Sequence, residues 1–67
     1  MSTVTVYKKG KRFRVEFSRL PGQSFGPWSF AETIRDLTVS ALLEPLQARD
    51  LVMDAAVKGS ATSQTGR

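Results

Sequence analysis

The sequence predicts an α+β domain, a two-layer ββαα arrangement or βββαα if a short third strand forms. An N-terminal antiparallel β-hairpin packs on one or two C-terminal helices. Three observations predict it. Two early segments alternate apolar and polar residues: Val4 and Val6 in the first, Phe13, Val15 and Phe17 in the second. Gly10 lies between them. Beyond Ser29 the apolar residues recur at helical spacing instead, at Phe30, Ile34, Leu37 and Ala41 with Leu42 near the same stripe.

Period-two alternation rich in β-branched and aromatic side chains marks half-buried strands. Cross-strand partners share a face. Val4 and Val6 therefore oppose members of the Phe13, Val15, Phe17 set, which demands an even loop: two residues, Lys9-Gly10, or four. Gly10 supplies the positive φ that such a turn needs. Leu20-Pro21-Gly22 ends the second strand. Ser24-Phe25 is compatible with a short third strand, and Pro27, with no donor, confines it to an edge.

Ser29 opens a helix. The Ser29-Phe30-Ala31-Glu32 tetrad is a capping box, with the Ser29 hydroxyl and the Glu32 carboxylate each facing the other's backbone N–H. Glu44 precedes a proline and resists the helical region, so this helix is expected to end near Leu43 or Glu44. Pro45 suits the first turn of a second helix, with one continuous helix kinked at Pro45 as the other reading. Ala48, Leu51, Val52 and Ala55 give it an apolar stripe, and Asp54–Lys58 is a favourable i,i+4 pair. Gly59 ends it. The expected organisation is a single small α+β domain over residues 1–58 and a disordered polar tail over residues 59–67, which are small and polar throughout.

A chain of 67 residues forms one small domain with a thin core. With no cysteine and no histidine, disulfides are excluded and zinc or iron–sulfur ligation has no ligands. No cofactor is implied. A homodimer or a partner protein is expected to supply the missing burial. No apolar run approaches the roughly 18 residues of a membrane span, and no signal-peptide pattern opens the chain, so a cytoplasmic location is expected.

The chain is not expected to be an enzyme. It lacks His, Cys and a glycine-rich phosphate loop. Glu32 and Asp36 lie one turn apart, as do Asp50 and Asp54, and both pairs read as solvated helix faces. Ser29 has no base to activate it, and capping accounts for it.

Charge carries the functional signal. The net charge is +4, but Lys8, Lys9, Lys11, Arg12, Arg14 and Arg19 stand against Glu16 alone in residues 1–20, a net of +5, leaving −1 for residues 21–67. Such asymmetry favours a polyanionic partner for the first third. Tyr7, Arg12 and Arg14 fall on the outer face of the hairpin, with Lys8, Lys9 and Lys11 at its tip. A two-stranded ribbon fits a DNA major groove, arginine reaches both phosphate and guanine, and tyrosine stacks on bases. Cationic outer faces also keep small sheets soluble. Phe25 and Trp28, with Phe30, form an aromatic cluster around Gly26-Pro27. They serve as core or as an anchor for a protein partner. Leu46, Leu51, Met53 and Val57 extend the apolar population of the second helix.

The stretch VEFSRLPGQSFGPWSFAET resembles the N-terminal region of HicB-type antitoxins at Val15, Phe17, Leu20, Pro21, Gly22, Ser29 and Glu32. That resemblance implies a protein-binding, antitoxin-like domain. The stretch YKKGKRFRVEF resembles the first hairpin of integrase arm-type DNA-binding domains at Lys9, Gly10, Lys11, Phe13, Arg14 and Val15, which implies a ribbon that enters the major groove. Both families belong to phage and mobile-element biology. The expected function is a small, non-enzymatic protein that binds nucleic acid, DNA in the first instance, through a basic hairpin. The alternative is an inhibitor, antitoxin-like or anti-defence, that blocks the surface of an acidic or nucleic-acid-binding protein.

Overall fold

A computed structural model describes residues 2–66. The elements run β1 (Thr3–Lys9), β2 (Arg12–Phe17), β3 (Phe25–Trp28), α1 (Phe30–Ser40), α2 (Pro45–Lys58) and β4 (Ser60–Gln64). The four strands form one antiparallel sheet in the order β3-β2-β1-β4. Both helices lie on the same face, α1 against β2 and β3, α2 against β1 and β4. The fold is therefore α+β in two layers. Val4, Val6, Phe13, Val15 and Phe17 from the sheet meet Leu37, Ala41, Leu43, Ala48, Leu51, Val52 and Ala55 in a single core.

The hairpin has the required even loop, but the two residues are Gly10-Lys11 rather than Lys9-Gly10, because Lys9 pairs with Arg12 and Val6 with Val15. Gly10 has φ +62° while Lys11 does not enter the positive region. Glycine first and an ordinary residue second is the II′ pattern. A Lys9-Gly10 loop would put positive φ on a lysine in a primed turn.

The short third strand forms. Pro27 sits in it at the sheet edge, beside a register irregularity between the Phe13↔Trp28 and Val15↔Phe25 pairs. Gly26 is required there: a Cβ would stand 2.7 Å from the Phe13 carbonyl oxygen, on a backbone with φ +108°.

Three further expectations are corrected. The segment read as a disordered tail is β4, paired with β1 from Thr3↔Gln64 to Tyr7↔Ser60. Its ends are fixed by Lys8 N–H donating to Gly59 O (2.9 Å) and Thr65 N–H to Ser2 O (3.1 Å), and Gly66 N–H donates to Ala41 O (2.8 Å). Backbone pairing holds this segment, so its low hydrophobicity conceals it.

The α1 stripe is turned as well. Thr33 is buried and Phe30 is 39% exposed. Thr33 is accommodated because its hydroxyl donates to Ser29 O at 2.7 Å, and Phe30 lies edge-on to Phe13 at 6.2 Å. Finally, α1 ends at Ser40 rather than near Leu43. Leu42 takes φ +57° and points outward, while Leu43 folds back into the core. The N–H groups of Ala41 and Leu43 both donate to Leu37 O. The described residues therefore form two helices rather than one kinked helix, the second opened by Pro45 and closed at Gly59.

The capping box is complete. Glu32 N–H donates to Ser29 Oγ at 3.3 Å and Ser29 N–H to Glu32 Oε1 at 2.9 Å. The Asp54–Lys58 pair forms at 3.5 Å on the surface, where it contributes well under about 1 kcal/mol.

Candidate nucleic-acid interface

Alternation along β1 and β2 decides which side chains share the face away from the helices. Thr5 lies opposite Glu16, Tyr7 opposite Arg14, and Lys9 opposite Arg12. On the other side of β1 the same row continues into β4, with Tyr7 opposite Ser60, Thr5 opposite Thr62 and Thr3 opposite Gln64. Among the described residues no element covers this face. Its hairpin end is cationic, through Lys9, Arg12 and Arg14. Its other end is neutral and rich in hydroxyls, apart from Glu16.

Tyr7 stands near the middle of this face, on an inner strand, with 37% of its surface exposed. Arg14 is directly across from it and is oriented rather than free to sweep. Its Nε and Nη2 donate to Ser24 Oγ at 3.3 and 3.0 Å. Thr5 and Thr62 join their hydroxyls at 2.9 Å across β1 and β4. Among the described residues the one ion pair within 4 Å is Asp54–Lys58, so the hairpin cations carry no carboxylate partner at that distance. Arg12 has a longer-range relation to Glu32. That carboxyl is held below the usual glutamate value first by the Ser29 backbone N–H, then by the Ser29 hydroxyl, and further by the Arg12 charge.

The six hairpin candidates therefore divide. Tyr7, Lys9, Arg12 and Arg14 share one face. Lys8 pairs with Phe13 on the helix-side parity and projects beyond the core, exposed. Lys11 occupies the turn. Sequence reasoning missed the contribution of Ser24, Ser60, Thr62 and Gln64. A five-residue strand without a large apolar side chain has no alternation signal to detect.

The four partner-binding candidates do not converge. Phe25 and Trp28 are half-buried against the core, with Phe25 edge-on to Phe17 at 6.1 Å. Trp28 lines an open cleft of about 350 Å³ with Glu32, Arg35, Asp36 and Val39. Leu46 and Met53, 71% and 47% exposed, lie on α2 and do not line that cleft. Leu51, by contrast, is core. Burial raises the Asp36 carboxyl above its usual range, and the Ser40 hydroxyl, donating to Oδ1 at 3.1 Å, pulls it partly back. Asp36 Oδ2 is buried without a hydrogen-bond partner.

No protein-family model, curated protein or solved structure matches this chain. Among the described residues no helix is long and apolar enough to cross a membrane.

Proposed function

We propose that this protein binds nucleic acid through the hairpin end of its open sheet face. Lys9, Arg12 and Arg14 contact phosphates or base edges, Lys8 and Lys11 add charge at the tip, and Tyr7 offers a stacking surface. One observation carries the reading: five cations cluster within Val6–Phe17 and, among the described residues, none has a carboxylate within ion-pair distance. Five unneutralised cations in so small an area repel one another, and a polyanion relieves that repulsion while releasing its own counterions. The test is fluorescence anisotropy with labelled oligonucleotides. The Arg12→Ala/Arg14→Ala variant should weaken binding at least tenfold, on the basis of about 0.7–0.9 counterions lost per phosphate contact, while far-UV circular dichroism stays unchanged. Unchanged affinity in that variant refutes the reading.

A second reading, a protein-binding inhibitor, draws support from the half-exposed Trp28 at its cleft and from exposed Leu46 and Met53. In that case the basic face meets an acidic patch on the partner. Absence of oligonucleotide binding at low salt favours it.

A further inference from the structure

Resting on the nucleic-acid reading above, we infer that the ligand is a single strand laid across the sheet face, with one base stacked on Tyr7, rather than a duplex entered by the hairpin. A β-ribbon reads the major groove when it enters the groove alone. Here β1 and β2 are flanked on both sides, by β4 and β3. Three strand spacings of about 4.8 Å make the backbone sheet about 14 Å wide before side chains are added, against a groove about 12 Å wide. The flanking pairs reach Tyr7 on one side and Phe13 on the other. Only the Lys9–Arg12 tip projects freely, two residues long at about 3.3 Å each, short of a groove about 8.5 Å deep.

The same flanking strands make a platform. Tyr7 is exposed near its middle and is the one aromatic side chain in the outward row of β1, β2 and β4. Arg14 is its cross-strand neighbour on β2, with the guanidinium anchored to Ser24 on the β3 side. Lys9 and Arg12 lie one step further along the strands. The hydroxyls of Thr5, Ser60 and Thr62 provide donors and acceptors on the other flank. Stacking needs an unpaired base, because a paired base in a duplex has its faces covered by its neighbours. A platform with one aromatic ring, flanking cations and hydroxyls therefore suits single-stranded DNA or RNA.

The experiment uses the full chain with labelled oligonucleotides of about 12 nucleotides, single-stranded and duplex, a length within the site sizes of single-strand binders. Four proteins are compared: wild type, Tyr7→Leu, Tyr7→Phe and Arg12→Ala/Arg14→Ala, each checked for folding by circular dichroism. Single strands should bind more tightly than the duplex. Tyr7→Leu should weaken single-strand binding by about 5- to 100-fold, and Tyr7→Phe should restore it. Duplex binding at least as tight as single-strand binding, with Tyr7→Leu neutral and Arg12→Ala/Arg14→Ala still damaging, overturns this inference and leaves the nucleic-acid reading standing. No binding to any oligonucleotide at low salt overturns both.

Discussion

Proline substitutions in β4 test the sheet at its least obvious strand. Antiparallel pairs alternate between those that exchange hydrogen bonds and those that do not. Lys8 donates to Gly59 at one end of the β1–β4 pairing and Thr65 donates to Ser2 at the other. With the register Val6↔Ala61 and Val4↔Ser63, the same phase makes Ala61 and Ser63 the residues bonded to β1. The N–H groups of Ser60, Thr62 and Gln64 then face the free edge. Ala61→Pro removes a ladder donor, leaves the Val6 carbonyl without its partner and pushes a ring toward β1. The lost and orphaned groups cost about 1–3 kcal/mol, and the steric term raises the total to about 2–4 kcal/mol. Thr62→Pro leaves the ladder intact and sacrifices only the exposed Thr5–Thr62 hydroxyl contact, less than about 1 kcal/mol. A domain of this size has roughly 3–10 kcal/mol in all. Urea denaturation followed by the single tryptophan, Trp28, resolves the difference. At a slope of about 1 kcal/mol/M the Ala61→Pro midpoint falls by about 2–4 M and the Thr62→Pro midpoint by less than about 1 M. Equal midpoints for both variants and wild type would show that residues 60–64 do not pair with β1, and would refute the four-stranded sheet.

Gly26→Ala should destabilise by about 2–5 kcal/mol in the same assay, combining overpacking against the Phe13 carbonyl with left-handed backbone strain. Leu37→Ala, at a fully buried site, should lose about 2–5 kcal/mol and leave the chain largely unfolded at 37 °C by circular dichroism. Ser29→Ala should cost about 1 kcal/mol through loss of the cap, read as a lower thermal midpoint. Glu32 is held below its ordinary value of 4.5, so its stabilising contribution is present above that value and is lost as pH falls through the lowered folded value. Asp36, raised by burial, acts in the opposite sense, favouring the folded state as pH falls toward 3.8. A Tm–pH curve should therefore lose less stability on acidification in Glu32→Ala than in wild type, and identical acid limbs would contradict the capping-box account.

How much of this was legible depended on where apolar side chains announce an element. Val4, Val6, Phe13, Val15 and Phe17 alternate, and strands β1 and β2 were readable from them, including the parity of their loop. The phase of that loop was not, because it depends on which residue of Lys9-Gly10-Lys11 adopts positive φ. The cap at Ser29 and the start of α2 at Pro45 are local chemistry and were visible as such. The rotation of α1 was hidden, since a buried threonine bonding its own helix backbone looks polar in sequence while Phe30 looks like core. Strand β4 was hidden for the same reason: SATSQ is specified by the free edge of β1, a property of the folded sheet. That omission bears on function. Without β4 the hairpin looks like a free ribbon suited to a groove, whereas with it Tyr7 stands inside a broad face. The charge cluster was readable at once, but its division among Lys9, Arg12 and Arg14 on that face, Lys8 on the other and Lys11 in the turn required the register.

The most direct test of the central claim is the salt dependence of single-strand affinity. If three to five of Lys8, Lys9, Lys11, Arg12 and Arg14 meet phosphates, the plot of log Kobs against log salt concentration has a slope of about −2 to −3.5, at about 0.7 per contact. The Arg12→Ala/Arg14→Ala variant then has a slope shallower by about 1.4. Binding whose slope is the same in both proteins, or affinity that ignores salt altogether, would contradict the assignment of this sheet face as a phosphate-contacting surface.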